Sequence, residues 1–148
     1  MSISCTPASP RPWLAAVLAI AGVSALAPAH AHQVWLENAG GQARLHFGEF
    51  NDNLRETSPG RLDQFKGVPV LEQQRTGAPA QRVDGQLGKD AFVYATTGSP
   101  DTLFATPTYP VIDRSKRNLP AMYWQPAARW VASLAKPVAP TAALDLVP

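Results

Sequence analysis

Ala91-Phe92-Val93-Tyr94-Ala95-Thr96-Thr97 decides the fold class. The stretch is rich in β-branched and aromatic residues, which fit a pleated, half-buried surface. Upstream, Ala43-Arg44-Leu45-His46-Phe47 alternates apolar and polar, the period of a strand with one face buried. Val34-Trp35-Leu36-Glu37 is a shorter apolar strand, ended by Asn38-Ala39-Gly40-Gly41. That connector suits a hairpin, so the two strands are expected to pair antiparallel.

Working outward, Gly48 to Leu54 breaks the alternation with Asn, Asp and Gly, which favour turns. Arg55 to Gly60 continues as loop, and Leu62-Asp63-Gln64-Phe65 reads as a turn of helix or a strand edge. Val68-Pro69-Val70-Leu71 is extended, because proline pushes the residue before it out of the helical region. Gln81-Arg82-Val83, Gln86-Leu87, Leu103-Phe104-Ala105-Thr106 and Tyr109-Pro110-Val111-Ile112 read as strand fragments. Pro126 would cost about 3 kcal/mol inside a helix, so Met122 to Leu134 reads as two short strands. Trp124 and Trp130 then point to the core. Strands spaced by frequent turn signals predict an all-β chain, an immunoglobulin-like β-sandwich.

Composition agrees. The chain has 148 residues with 15 Pro and only 16% charged residues, which argues against coiled coils and helix bundles. A net charge of +2 is too small for a nucleic-acid binder that works through phosphates, so no nucleic-acid partner is expected. A single Cys excludes a disulfide framework and a multi-cysteine zinc site. No nucleophile elbow, phosphate loop or paired hydrolytic carboxylates is legible, and no enzyme activity is expected.

The first residues read as an address. Arg11 precedes the uncharged apolar run Trp13 to Leu26, followed by Ala27-Pro28-Ala29-His30-Ala31-His32. A positive start, a short apolar run and an Ala-x-Ala site make a secretory signal peptide over residues 1–31. The run is short of the ~20 residues that span a bilayer. Residues 32–148 are expected to form the β-sandwich domain. Its last stretch, Ala142 to Pro148, ends abruptly as an apolar strand. Either it pairs back into a sheet, or the chain is the front part of a longer protein and the sandwich is incomplete there.

Cleavage after Ala31 would make His32 the amino terminus. Its α-amine and imidazole can then chelate one metal ion. His46, across the expected hairpin, would add a third nitrogen, a set suited to copper or nickel. An α-amine titrates near ~7.7 and an imidazole near ~6.5, so both can bind metal at neutral pH. Cleavage after Ala29 would instead make His32 the third residue, where amine, two amides and imidazole form a square-planar site. His46 shares its strand face with Arg44 and Gly48 and is expected to look outward to solvent. Glu37, Glu49, Asp52 and Glu56 cluster nearby in sequence without the spacing of a calcium loop.

The stretches Ala29-His30-Ala31-His32-Gln33-Val34-Trp35-Leu36-Glu37 and Leu45-His46-Phe47-Gly48-Glu49, with Arg55-Glu56 and the final Leu144-Asp145-Leu146-Val147-Pro148, carry a resemblance. They resemble a family of exported bacterial proteins, some labelled as the periplasmic component of a cobalt/nickel transport system. The resemblance implies a periplasmic β-sandwich that handles a divalent transition metal (nickel, cobalt or copper) beside an inner-membrane metal transporter. It also implies that the final stretch leads into a second, immunoglobulin-like half. The competing expectation is a metal-free structural or carbohydrate-contacting module of the cell envelope.

Overall fold

The structure, a computed structural model, describes residues 31–135. The expected signal segment up to His30 and the expected strand Ala142–Pro148 lie outside the described residues.

Two antiparallel sheets face each other as an all-β sandwich. The first holds β1 (Gln33–Ala39), β2 (Gln42–Glu49), β7 (Phe92–Ala95) and β6 (Gly85–Leu87) in that order, with the short β3 (Leu54–Arg55) also paired to β2. The second runs β5 (Gln81–Val83), β4 (Leu71–Gln74), β8 (Thr102–Ala105), β9 (Ala128–Val131). The chain crosses between sheets after β3, β5 and β7.

The β1–β2 hairpin forms as expected, in a register that sets Val34 opposite Phe47 and Trp35 opposite His46. Its turn is tighter than the four-residue connector suggested. Ala39 pairs with Gln42, so only Gly40 and Gly41 turn the chain. Both have positive φ, +60° and +76°, as a two-residue hairpin turn that matches strand twist requires.

The core follows from period-two alternation. Leu36, Leu45, Phe47, Phe92 and Tyr94 of the first sheet pack against Leu71, Leu103 and Ala105 of the second. Phe47, Phe65, Tyr109 and Trp124 close one end, with neighbouring ring centroids 5.1–6.4 Å apart. Trp124 and Trp130 pack against this core, as the sequence suggested. The Tyr94 hydroxyl donates to the Pro69 carbonyl at 2.8 Å, which ties the first sheet to the lead-in of β4.

Two local readings shift, and a third resolves to its helical-turn alternative. The extended segment at 68–71 becomes a strand only from Leu71 on, and it includes Gln73 and Gln74. Tyr109–Ile112 forms no strand, only a single Ile112–Met122 bridge. Pro107 and Pro110 have no N–H to give to a ladder. Residues 61–64 form a 3-10 turn.

Candidate functional site

His32 precedes β1 by one residue and shares the face of Val34 and Leu36. Its ring rests on Phe47, centroid to centroid 5.1 Å. Two carboxylates converge on it. Glu56 Oε1 lies 2.5 Å from Nε2 and Glu49 Oε1 lies 3.6 Å from Nδ1. Each of the three side chains is about one-fifth exposed, at 24%, 17% and 19% for His32, Glu49 and Glu56.

Local backbone chemistry brings these groups together. Glu49 is the last residue of β2, and Glu56 follows β3 directly. The intervening turn closes through Asn53 N–H to the Phe50 carbonyl at 3.1 Å. The Glu56 N–H donates to the Phe47 carbonyl at 2.8 Å, which holds its side chain beside the start of β1. Arg61, on the 3-10 turn, places Nη1 3.2 Å from His32 Nε2 and 3.8 Å from Glu56 Oε1. That turn is itself pinned by Asp63, which accepts from the Ser58 hydroxyl and the Gly60 N–H at 2.7 and 2.6 Å.

One nitrogen cannot serve both partners in the same way. Donating to Glu56 requires a proton on Nε2, whereas accepting from Arg61 requires a lone pair there. The shorter contact favours the proton on Nε2. In a neutral ring this leaves the Nδ1 lone pair directed to the side where Glu49 stands.

Beside His32 opens a cleft of ≈ 300 Å³, walled by Phe47, Tyr109 and Trp124 and flanked by Arg61, Ile112 and Met122. Its aromatic walls also belong to the core cluster, which fixes their orientation.

His46 lies elsewhere. Alternation puts Trp35 and His46 on the opposite face of the sheet from His32 and Phe47. The structure therefore does not bring His32 and His46 together, and they do not form a joint chelate. Nor does His46 face solvent: it is 2% exposed. It is on the outer face, as expected, but Trp35 directly opposite covers it. The two rings stack at 5.3 Å, and Phe50 and Arg55 in turn cover the indole at 5.5 and 5.7 Å. His46 Nδ1 donates to the Asp90 carbonyl at 3.0 Å. Nε2 has no hydrogen-bond partner, although Glu37 Oε2 is 3.4 Å away.

Two expectations follow. His46→Ala, silent if the ring were exposed, should lower unfolding free energy by about 2 kcal/mol through lost packing and stacking. Urea unfolding reads this directly, and a change below about 0.5 kcal/mol, the surface range, would contradict the buried placement.

The second concerns Glu37. Partial burial pushes its carboxyl upward, but hydrogen bonds from the Trp35 indole and Arg55, with the charge of His46 and Arg55, outweigh that and hold it below the usual range. Arg55 Nη2 is 2.8 Å away and Trp35 Nε1 3.1 Å. A depressed folded value makes the contribution full above about pH 4.5 and lost as pH falls below it. Stability should drop as pH falls below about 4.5, and Glu37→Gln should flatten that slope. An unchanged slope would count against the pair.

Among the described residues, no group of three or more His, Cys, Asp and Glu side chains is arranged to hold a metal ion. No known protein family, curated protein or solved structure matches this chain. Sequence reasoning singled out His32 but missed Glu49 and Glu56 as its partners, and missed Arg61 altogether. The available signal was the register, since Glu49 follows the residue opposite Gln33 and so stands opposite His32.

Proposed function

We propose that the protein is exported to the periplasm and binds a divalent transition metal (nickel, cobalt or copper) at a mature amino-terminal His32, for metal uptake or handling. The observation that carries this reading is the 2.5 Å contact between His32 Nε2 and Glu56. Metal-ligating histidines usually donate their other ring N–H to a carboxylate, which fixes the tautomer and aims the bare nitrogen at the metal. Here the bare nitrogen is Nδ1, the one that closes a six-membered chelate with the α-amine of the same residue.

The third donor in this reading is Glu49 rather than His46. Nitrogen and oxygen ligands each about 2.0–2.2 Å from a divalent ion stand about 3–4 Å from each other, and Nδ1 and Glu49 Oε1 are 3.6 Å apart. Side chains alone supply too few donors, in line with the lack of a three-side-chain group among the described residues. The α-amine released by cleavage after Ala31 supplies the missing one. The protein is read as a binder, not an enzyme, that passes its ion to an inner-membrane transporter.

Titration calorimetry on the processed chain tests this. One Cu(II) should bind per chain, with Ni(II) weaker in the usual affinity order. An added Gly ahead of His32 moves the α-amine away and should weaken binding at least tenfold. Glu56→Gln should weaken it about 10-fold or more, the usual cost of losing an orienting partner. His46→Gln should leave affinity unchanged. Equal affinity in every form would show adventitious binding. The metal-free reading would then gain, with Tyr109 and Trp124 in the cleft as a platform for sugar rings, detectable as quenching of tryptophan fluorescence by oligosaccharides.

A further inference from the structure

The segment 111–123 stands out as a basic hairpin with apolar side chains left in solvent. Its two arms meet at Ile112 and Met122, whose N–H and carbonyl groups exchange bonds of 2.9 and 3.0 Å. Its tip is a 3-10 turn, Ser115–Arg117, closed by Asn118 in the left-handed conformation. The Arg117 and Asn118 N–H groups donate to the Arg114 and Ser115 carbonyls, both at 2.9 Å. Asp113 is occupied in the same turn, accepting from the Ser115 N–H at 2.8 Å. The hairpin is thus preformed by its own backbone rather than by burial in the core.

It carries three cations within four positions, Arg114, Lys116 and Arg117. None of them is in an ion pair among the described residues. Beside them Tyr123 is 79% exposed and Val111, Leu119 and Met122 are each 40–45% exposed. Arg114 extends back to Met122, with Nη1 3.8 Å from the sulfur.

We propose that this hairpin docks the protein onto an anionic lipid surface. Basic side chains near such a surface gain from its negative potential. Interleaved Tyr, Leu, Met and Val can enter the headgroup layer, where amphipathic tyrosine is favoured. An acidic protein would satisfy the cations but leave the apolar residues without a groove of its own to enter. The proposal is independent of metal binding. It does have a geometric consequence: Ile112 and Met122 also flank the cleft beside His32, so docking would bring that cleft to the membrane surface.

Vesicle co-sedimentation with the mature chain tests it. Phosphatidylcholine vesicles should bind little, and vesicles that also contain phosphatidylglycerol should bind well. Binding should fall as salt shortens the screening length. The triple variant Arg114→Gln, Lys116→Gln, Arg117→Gln should lose on the order of a hundredfold in partitioning, about fivefold per cation. Leu119→Ser with Tyr123→Ser should weaken binding about tenfold, the loss of two inserted apolar groups, while keeping the salt dependence. All these residues are outside the core, and each variant should keep the circular dichroism spectrum of the unaltered protein. Failure of the unaltered protein to bind phosphatidylglycerol vesicles would overturn the proposal. So would vesicle binding indifferent to either variant. Binding to polyglutamate that is as strong as vesicle binding and does not need Tyr123 would also overturn it, and would assign the hairpin to an acidic protein.

Discussion

Gly48→Ala should lower the unfolding free energy by about 3 kcal/mol, a large share of the 5–15 kcal/mol typical of a folded domain. Gly48 sits in β2 at φ +150°, a backbone conformation that side chains disfavour. A Cβ there would lie 2.1 Å from the Leu54 carbonyl oxygen and 3.0 Å from its carbon. Those atoms are backbone in β3, so no rotamer change relieves the overlap. The β2–β3 pairing, Gly48 with Arg55 and Glu49 with Leu54, must open. The melting temperature should drop by roughly 10–20 °C. Because Glu49 belongs to this pairing and Glu56 follows it, a variant still folded at low temperature should also lose the convergence of both carboxylates on His32. A melting temperature within about 2 °C of the unaltered protein, the shift from a few tenths of a kcal/mol, would show that β3 yields without cost.

Gln73→Leu should cost about 3 kcal/mol although it is close to volume-conserving. Gln73 is buried on the core face of β4. Its amide nitrogen donates to the Thr97 carbonyl at 2.6 Å and to the Thr97 hydroxyl at 3.3 Å, and its oxygen accepts the Thr97 N–H at 3.2 Å. The side chain thus substitutes for a strand partner where the chain crosses from β7 to β8. Leucine would fill the space but break all three bonds between buried Gln73 and the exposed Thr97, each worth about 1 kcal/mol net. Urea unfolding should show a lower midpoint with an unchanged slope. Stability within about 0.5 kcal/mol would mean that water replaces the lost bonds.

Most of the strand positions were legible because half-buried strands print their period on the sequence. Leu45 and Phe47, then Phe92 and Tyr94, alternate with polar or smaller residues and occupy the core as that period demands. Prolines were legible too, as places where ladders stop. Gln73 was not, since a polar residue on a core face looks like solvent exposure until its partner is known. His46 was misread for the converse reason: sheet face was deducible, but its cover came from Trp35 across the hairpin and from the Asp90 carbonyl, 44 positions away.

The amino-acid sequence by itself determined the all-β class, the β1–β2 hairpin and the choice of His32, because each depends on residues close together along the chain. Only the tertiary structure decided what His32 meets. Alternation across β1 and β2 sends His32 and His46 to opposite faces of one sheet, a separation fixed by register and not by residue type. The same register, with the turn from Phe50 to Asn53 into β3, delivers Glu49 and Glu56 to the histidine. Which groups converge in space depends on where the chain folds back, and that is set by long-range pairing rather than by local preference.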